Sequence, residues 1–260
     1  MGYLRVTVSD GTGLSVFEAG HGGRPLLLVH GNSCDHTFLA PQVDHFAPMR
    51  RVIAPDLRGH GASEKPEGDY TLARLAQDLA EVLAALDTGP VVAVGHSMGG
   101  LAALELAVRH PDAVAAVVCL DSGLLVPHGR PSRVHALAEG LRSPEWKSYF
   151  LRHFEAAFEP TDDPARKKAI LERMMGTPRH VMASLFEQQR QGDAQAALRL
   201  LRAPLLCVGA ARARTDVARL LELCPQAVTG QTVGSGHFMT LEVPEQVNAM
   251  LERFLKVTGL

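Results

Sequence analysis

No run in this sequence is long and apolar enough to cross a bilayer. The longest, Ala113 to Leu120, ends far short of the roughly 20 residues a spanning helix needs. The opening MGYLRVTVSDG has no apolar h-region, so neither a secretory leader nor a membrane partner is expected. An excess of one charge is missing too. The 26 Lys and Arg nearly balance 28 Asp and Glu, and a formal net charge of -2 leaves no global footprint for nucleic acid. Cysteine is scarce and scattered: Cys34, Cys119, Cys207 and Cys224 have neither zinc nor redox spacing and read as reduced residues of a cytoplasmic protein. The 12 histidines include no H-x-x-x-H or H-E-x-x-H pair, so no metal site is expected. What is left is a chain of 260 residues, 46% hydrophobic, enough for one large α/β domain or two small ones.

What the sequence does have is alternation of strand and helix signals. Leu4 to Val8 and Leu14 to Glu18 flank the turn Asp10-Gly11-Thr12-Gly13 and predict an antiparallel hairpin. Leu26 to Val29, Arg51 to Ala54, Val91 to Val94, Val114 to Leu120 and Pro204 to Gly209 are apolar runs of the kind that parallel strands buried on both faces show. A last short strand is expected over Ala227 to Val233. Between these runs lie helical patterns. In Thr71 to Leu86, Leu72, Leu75, Leu79, Val82, Leu83 and Leu86 share one face, with Thr71 a candidate cap. Phe38 to Phe46, Leu101 to Arg109, Asp216 to Leu223 and Pro244 to Leu255 are the others. Strands alternating with helices predict a mostly parallel central sheet flanked by helices. From Leu124 to about Leu198 strand signals vanish, and the segment is helical and punctuated by proline. A block of that size is too large for a connection. It predicts a helical lid, 124–198, inserted into a core of 1–123 and 199–260 at the sheet edge where α/β sites lie.

The chemistry concentrates in VVAVGHSMGG, residues 91–100. A strand running into Gly95-His96-Ser97-Met98-Gly99 and then into a helix is the G-x-S-x-G nucleophile elbow. The glycines remove side chains that would collide at so sharp a turn, and the helix aims its free N–H groups at the serine. A serine needs a base, and His237 in VGSGHF follows the last strand, in the chain order this elbow implies. Met98, next after the nucleophile, and Asn32, in the loop after Leu26 to Val29, are the candidate oxyanion donors, with Ser33 as fallback. Of the other histidines, His96 is expected to pack beneath the turn and His30 to be structural. Two carboxylates compete to orient the base. Asp121 ends the strand after the elbow helix. Asp216 precedes a helical run and reads equally as a cap. A strand end holds a carboxylate more firmly than a long loop does, which favours Asp121.

LLLVHGN, APDLRGHGAS, VAVGHSMGG and VGSGHF together resemble the α/β-hydrolase superfamily over nearly the whole chain. Serine at the elbow argues against those members that carry Asp there, the haloalkane dehalogenases and epoxide hydrolases. The resemblance implies the α/β-hydrolase fold and a shaping rather than catalytic role for Asp56, Arg58 and His60. In most relatives a G-x-x-D after the strand at 204–208 supplies the acid, whereas this chain reads Gly209-Ala210-Ala211-Arg212. A minority, similar to the zearalenone lactonase-type members, take it from the Asp121 location.

Within the lid, Trp146, Phe150, Phe154 and Phe158 step at i+4, and Met174, Met175, Met182 and Phe186 add a second apolar set. Trp146, Phe150, Phe154, Met182, Phe186 and Phe238 are the expected substrate-binding residues, for an apolar small molecule. The expected function is hydrolysis of a carboxylic ester or lactone through an acyl-enzyme on Ser97, His237 and Asp121, with no cofactor. Carbon–carbon hydrolysis, perhydrolysis, or a slow-turnover sensor built on the same fold are the alternatives. Substrate identity and oligomeric state are not legible.

Overall fold

The computed structural model describes residues 1–68, 70–125, 133–191, 194–212 and 214–260. In it, eight strands form one sheet in the order β1-β2-β4-β3-β5-β6-β7-β8. β1 (Gly2–Thr7) and β2 (Gly13–Ala19) make the expected antiparallel hairpin, and β2 also pairs antiparallel with β4 (Val52–Pro55). From there β3 (Leu26–Val29), β5 (Val91–His96), β6 (Val114–Leu120), β7 (Leu205–Gly209) and β8 (Val228–Gln231) continue in parallel. The central strands are buried throughout because helices cover both faces. Successive residues alternate between the two layers: Leu27, Val29, Val91 and Ala93 on one side, Leu26, Leu28, Val92 and Val94 on the other.

α1 (Ala40–Phe46) follows a 3-10 turn at His36–Leu39, splitting the single helix expected over 38–46. α2 (Leu72–Ala85) starts at Thr71, whose side chain accepts the Arg74 N–H at 3.0 Å, and buries Leu75, Leu79, Val82 and Leu83. α3 (Met98–Arg109) begins directly after Ser97, three residues before its apolar pattern does. Between β6 and β7 come α4 (Arg133–Gly140), α5 (Trp146–Glu155), α6 (Pro164–Met174), α7 (Arg179–Gln191) and α8 (Ala194–Leu200). This is the segment expected to be a lid; its residues 126–132 and 192–193 lie outside those described. α9 (Val217–Leu223), the four-residue α10 (Met239–Glu242) and α11 (Pro244–Thr258) complete the chain. α11 stops at Gly259, whose φ of 71° is a left-handed cap that glycine adopts without a Cβ clash.

The helical block packs in two ways. Leu137, Phe150, Phe154, Met174 and Phe186 form a third apolar cluster with Cys34, Phe38 and Phe238, beyond the C-terminal ends of the strands. Burying one such side chain contributes about 1.5–3 kcal/mol. Val181 and Leu185 of α7, and Ala197 and Leu198 of α8, instead join the core beneath the sheet. α8 packs on α3 and α9, so it sits with the core although most of it falls within 124–198. No helix among the described residues is long and apolar enough to cross a membrane.

Candidate active site

Ser97 stands between β5 and α3 at φ 55°, ψ -120°, left-handed territory that costs a non-glycine residue roughly 1–3 kcal/mol. Its N–H donates to Leu120 O at 2.9 Å, tying the turn to the end of β6. The neighbouring glycines leave no alternative. A Cβ on Gly95 would lie 2.1 Å from Gly99 O, and one on Gly99 would lie 2.2 Å from Val29 O. At Gly100 the obstacle is Ser122 Oγ at 2.0 Å, so that glycine makes room for the chain beyond β6.

Three predicted residues form one hydrogen-bonded run. Ser97 Oγ lies 3.0 Å from His237 Nε2, and His237 Nδ1 lies 2.6 Å from Asp121 Oδ2. With Nδ1–H donating to the carboxylate, Nε2 is left as an acceptor for the serine proton. Asp121 follows β6 at φ 43°, and its Oδ1 accepts the Ala210 N–H at 3.2 Å. Asp216 is elsewhere: it caps α9, accepting the Arg219 N–H at 3.1 Å. Arg212, which stands in the stretch where relatives carry an acid, pairs outward with Glu159 at 3.3 Å. A different arginine reaches the acid. Arg214 Nε lies 2.9 Å from Asp121 Oδ2, the oxygen that His237 also uses. Sequence reasoning missed this contact, since an arginine past a strand end has no periodic signature.

The glycines around His237 suggest a loose loop, but the loop is pinned. Ala157 O accepts the His237 N–H at 2.7 Å, and the Glu242 carboxylate accepts the N–H groups of Gly236 at 2.6 Å and Phe238 at 3.2 Å. A Cβ on Gly236 would stand 2.4 Å from Ala157 O, so the helical block approaches the loop through that glycine. His96 adds a strut, its Nε2–H donating to His237 O at 2.7 Å. Its Nδ1 is buried without a hydrogen-bond partner among the described residues.

Burial dominates the titration of these rings. His237 is pushed down to about 4, by burial first and the Arg214 charge second. His96 falls to about 3, through burial and the neighbouring His237. Both are neutral at pH 7, which leaves His237 Nε2 an acceptor. Burial alone would raise the Asp121 carboxyl. The His237 hydrogen bond, then the His237 and Arg214 charges and the Ala210 N–H, outweigh burial and hold the carboxyl below its ordinary value.

The other conspicuous polar groups are structural. His30 Nε2 accepts the Leu57 N–H and His60 Nε2 accepts the Ser33 N–H, at 2.9 and 3.1 Å. Arg58 pairs with buried Asp78 and with Asp10. Asp35, His36 and Asp56 are close enough together to hold a cation. Their atoms already serve the fold, however: Asp35 takes the Thr37 N–H and Arg173, and Asp56 takes His36 and the Ala62 N–H.

Ser97 and His237 open into a cleft of about 390 Å³, its open mouth included. Of the expected substrate-binding residues, Phe154, Phe186 and Phe238 line it. Phe150 and Met182 do not; both are fully buried in the aromatic cluster behind the wall. Trp146 only packs against that cluster from outside, at the far end of α5. Asn32 lines the cleft beside Ser97. Met98 is buried at the first position of α3, where a helix N–H has no acceptor within its own helix. Met174, from the second apolar set, and His96, expected beneath the turn, also line it, and the structure adds Gly31, Cys34, His153 and Arg214, which sequence patterns did not place there.

The family model described as "Alpha/beta hydrolase family" matches residues 26–250. Along most of its length the chain is similar to (E)-2-((N-methylformamido)methylene)succinate hydrolase of Acinetobacter baylyi. The two are 26% identical over 247 residues, 93% of this chain and 94% of that one. Against an uncharacterized protein of Mycobacterium tuberculosis identity is 36% over 107 residues, 41% of this chain, and the match spans only 31% of that protein. Among solved structures, an esterase from Thermogutta terrifontis superposes with a TM-score of 0.85 at 25% identity, covering 99% of both chains. The enol-lactonase from Burkholderia xenovorans LB400 shares the fold, with a TM-score of 0.87 at 23% identity, covering 97% of this chain and 100% of that one.

Proposed function

We propose, from the premise that this chain belongs to the alpha/beta hydrolase family, that it hydrolyses a carboxylic ester or lactone through an acyl-enzyme on Ser97. The observation that carries this reading is the run Ser97 Oγ, His237 Nε2, His237 Nδ1, Asp121 Oδ2, whose serine stands at a strained turn facing the cleft. Ser97 Oγ attacks the carbonyl carbon while its proton passes to His237 Nε2. Asp121 holds the ring in the tautomer that makes this possible and offsets the imidazolium charge. The N–H groups of Asn32 and Met98 receive the oxyanion. Collapse of the tetrahedral species breaks the carbonyl–oxygen single bond, and the leaving oxygen takes the proton from His237. Water then adds to the acyl-enzyme by the same route, releasing the acid and restoring Ser97 Oγ–H. In a lactone the leaving hydroxyl stays tethered to the acyl group.

The acid at the end of β6 stands at the location implied by the resemblance to zearalenone lactonase-type members, which keeps lactones in the substrate class. The helices of the 124–198 block serve as a lid, with Phe154, Phe186 and Phe238 supplying the apolar wall. Four buried, unpaired cysteines fit a reducing, cytoplasmic compartment. A fluorophosphonate probe tests the reading. It should add to Ser97 alone, and Ser97→Ala should abolish both labelling and turnover of p-nitrophenyl acetate. Turnover that survives Ser97→Ala refutes it.

A further inference from the structure

Asp121 is held by the chain that follows β7. Ala210 donates its N–H to Oδ1 at 3.2 Å, and Arg214 places Nε 2.9 Å from Oδ2. The residues just after Arg214 are laced to those just after Asp121. Buried Thr215 donates its hydroxyl to Ser122 O at 2.6 Å and accepts the Leu124 N–H at 3.0 Å. Asp216 donates its N–H to Leu125 O at 2.9 Å. Residues 214–216 therefore run beside 121–125, and this lacing fixes the root of the Arg214 side chain next to the carboxylate. Asp121 leaves β6 at φ 43°, a backbone state that needs support from its surroundings. Each of its oxygens has a donor from the 210–214 segment before the His237 ring is counted.

Oδ2 is shared, since His237 Nδ1 lies 2.6 Å from the oxygen that Arg214 also reaches. A guanidinium keeps its charge at every working pH. Its effect on His237 therefore depends on whether an anion appears together with the ring proton. In turnover one does: Ser97 gives up the proton, the substrate oxygen takes up the negative charge, and the net charge of the site is unchanged. In the resting enzyme none does. A proton taken from solvent adds a positive charge beside Arg214, and the single Asp121 carboxylate must then face both. Arg214 thus opposes idle protonation of the base more than protonation during the reaction. The titration of the ring agrees with this geometry. Burial first and the Arg214 charge second hold His237 down to about 4, against the Asp121 hydrogen bond and charge, which raise it. His153 of α5 acts in the same direction as Arg214, but more weakly. His96 is neutral, and Cys207 of β7 is a thiol pushed up to about 12. Arg212 pairs outward with Glu159, and the Glu242 carboxylate is engaged by the backbone of Gly236 and Phe238.

Resting on the reading of His237 as the base and Asp121 as its acid, we propose that Arg214 is a positioning residue: it aims Asp121 Oδ2 at the His237 ring and, through that shared oxygen, keeps the resting base uncharged in mildly acidic solution. Arg214 acts through Asp121, and no bond to it forms or breaks. The consequence is activity that persists at a pH where an ordinary histidine, at about 6.5, is already protonated.

The acid limb of kcat/KM for p-nitrophenyl acetate reads this, with the product followed where phenol and phenolate absorb equally and circular dichroism recorded at each pH to separate unfolding from titration. In the wild type the midpoint should lie well below 6.5. Arg214→Gln should move it up by about one pH unit, and Arg214→Lys, which keeps the charge, should bring back most of that difference. A merely structural contact would lower the rate alike at every pH, so a midpoint that stays put in Arg214→Gln overturns the proposal. Titration of the His237 ring signals by NMR follows the same proton without turnover. In the wild type alone, a ring that titrates near 6.5 or above overturns the proposal, even if neither variant folds. Turnover persisting in Ser97→Ala would instead strike the nucleophile reading, and the NMR midpoints would still decide the role of Arg214.

Discussion

Asp121→Asn tests the proposed role of Asp121 as the acid with little disturbance to its surroundings. Asparagine is nearly isosteric and among the residues that best tolerate the φ of 43° at this position, so the backbone has no reason to move. What changes is the hydrogen bond at 2.6 Å. An amide NH₂ turned toward His237 makes Nδ1 an acceptor and places the ring proton on Nε2, facing Ser97 Oγ at 3.0 Å. The serine then has no base. A wrong tautomer of this kind costs up to about 10⁴ in kcat, or roughly 5.5 kcal/mol at 1.36 kcal/mol per decade. The stability cost is far smaller. Arg214 loses a charged partner but, being 30% exposed, can turn to water. A loss of about 1 kcal/mol would lower Tm by roughly 2–4 °C in a domain of this size. Initial rates on p-nitrophenyl acetate alongside a thermal melt separate the two effects. Asp216→Ala is the matched control: removing the α9 cap should cost about 1 kcal/mol of stability with activity preserved. If Asp121→Asn keeps more than a tenth of kcat, or Asp216→Ala loses three orders of magnitude, the assignment of the acid is wrong.

The buried histidines make the fold acid-labile. His60 and His96, held down to about 3 by burial, bind protons in the unfolded chain from pH 6.5 downward but not in the folded one. Their contribution is complete above pH 6.5 and is lost as pH falls toward 3. At pH 5 each group has given up about 2 kcal/mol, and His237, lowered to about 4, adds to the loss, so urea unfolding at pH 7 and pH 5 should differ by at least about 4 kcal/mol; equal stabilities would refute the argument. On the cleft wall, Phe154→Ala should change kcat/KM differently for short and bulky acyl groups, by about 1–3 kcal/mol. Trp146→Ala, outside the wall, should leave that ranking unaltered, and a shift as large as that of Phe154→Ala would contradict the placement.

The sequence made the sheet legible because its central strands are buried on both faces, so their apolar runs are continuous and end abruptly. Leu26–Val29 and Val114–Leu120 appear with the expected bounds. Short elements were less readable: α10 spans only Met239–Glu242, too few residues for a helical period to show. In the site, Ser97 and His237 could be found because elbow and loop chemistry constrain neighbouring residues. The aromatic series on α5 overreached, since i+4 spacing fixes a shared face but not depth along the helix. Phe154 reaches the cleft, while Phe150 and Trp146 stop behind it. Arg214 was invisible because its meaning depends on Asp121, 93 positions earlier in the chain, and no local pattern links the two.

An acid at the end of β6 also fixes the order in which the site can assemble. Ser97 and Asp121 are 24 positions apart, on adjacent strands joined by one helix. A single β–α–β unit therefore sets their spacing through sheet pairing, as soon as residues 91–121 have folded. His237 comes from 116 positions beyond Asp121, in a loop whose N–H is held by the helical block at Ala157. Closing so long a loop is among the slower steps of folding. During refolding, and during synthesis from the N-terminus, nucleophile and acid would face each other across an empty position before the base arrives. Regain of activity should therefore trail regain of sheet, with the late arrival of the loop at 233–238 keeping the serine silent until His237 is in place.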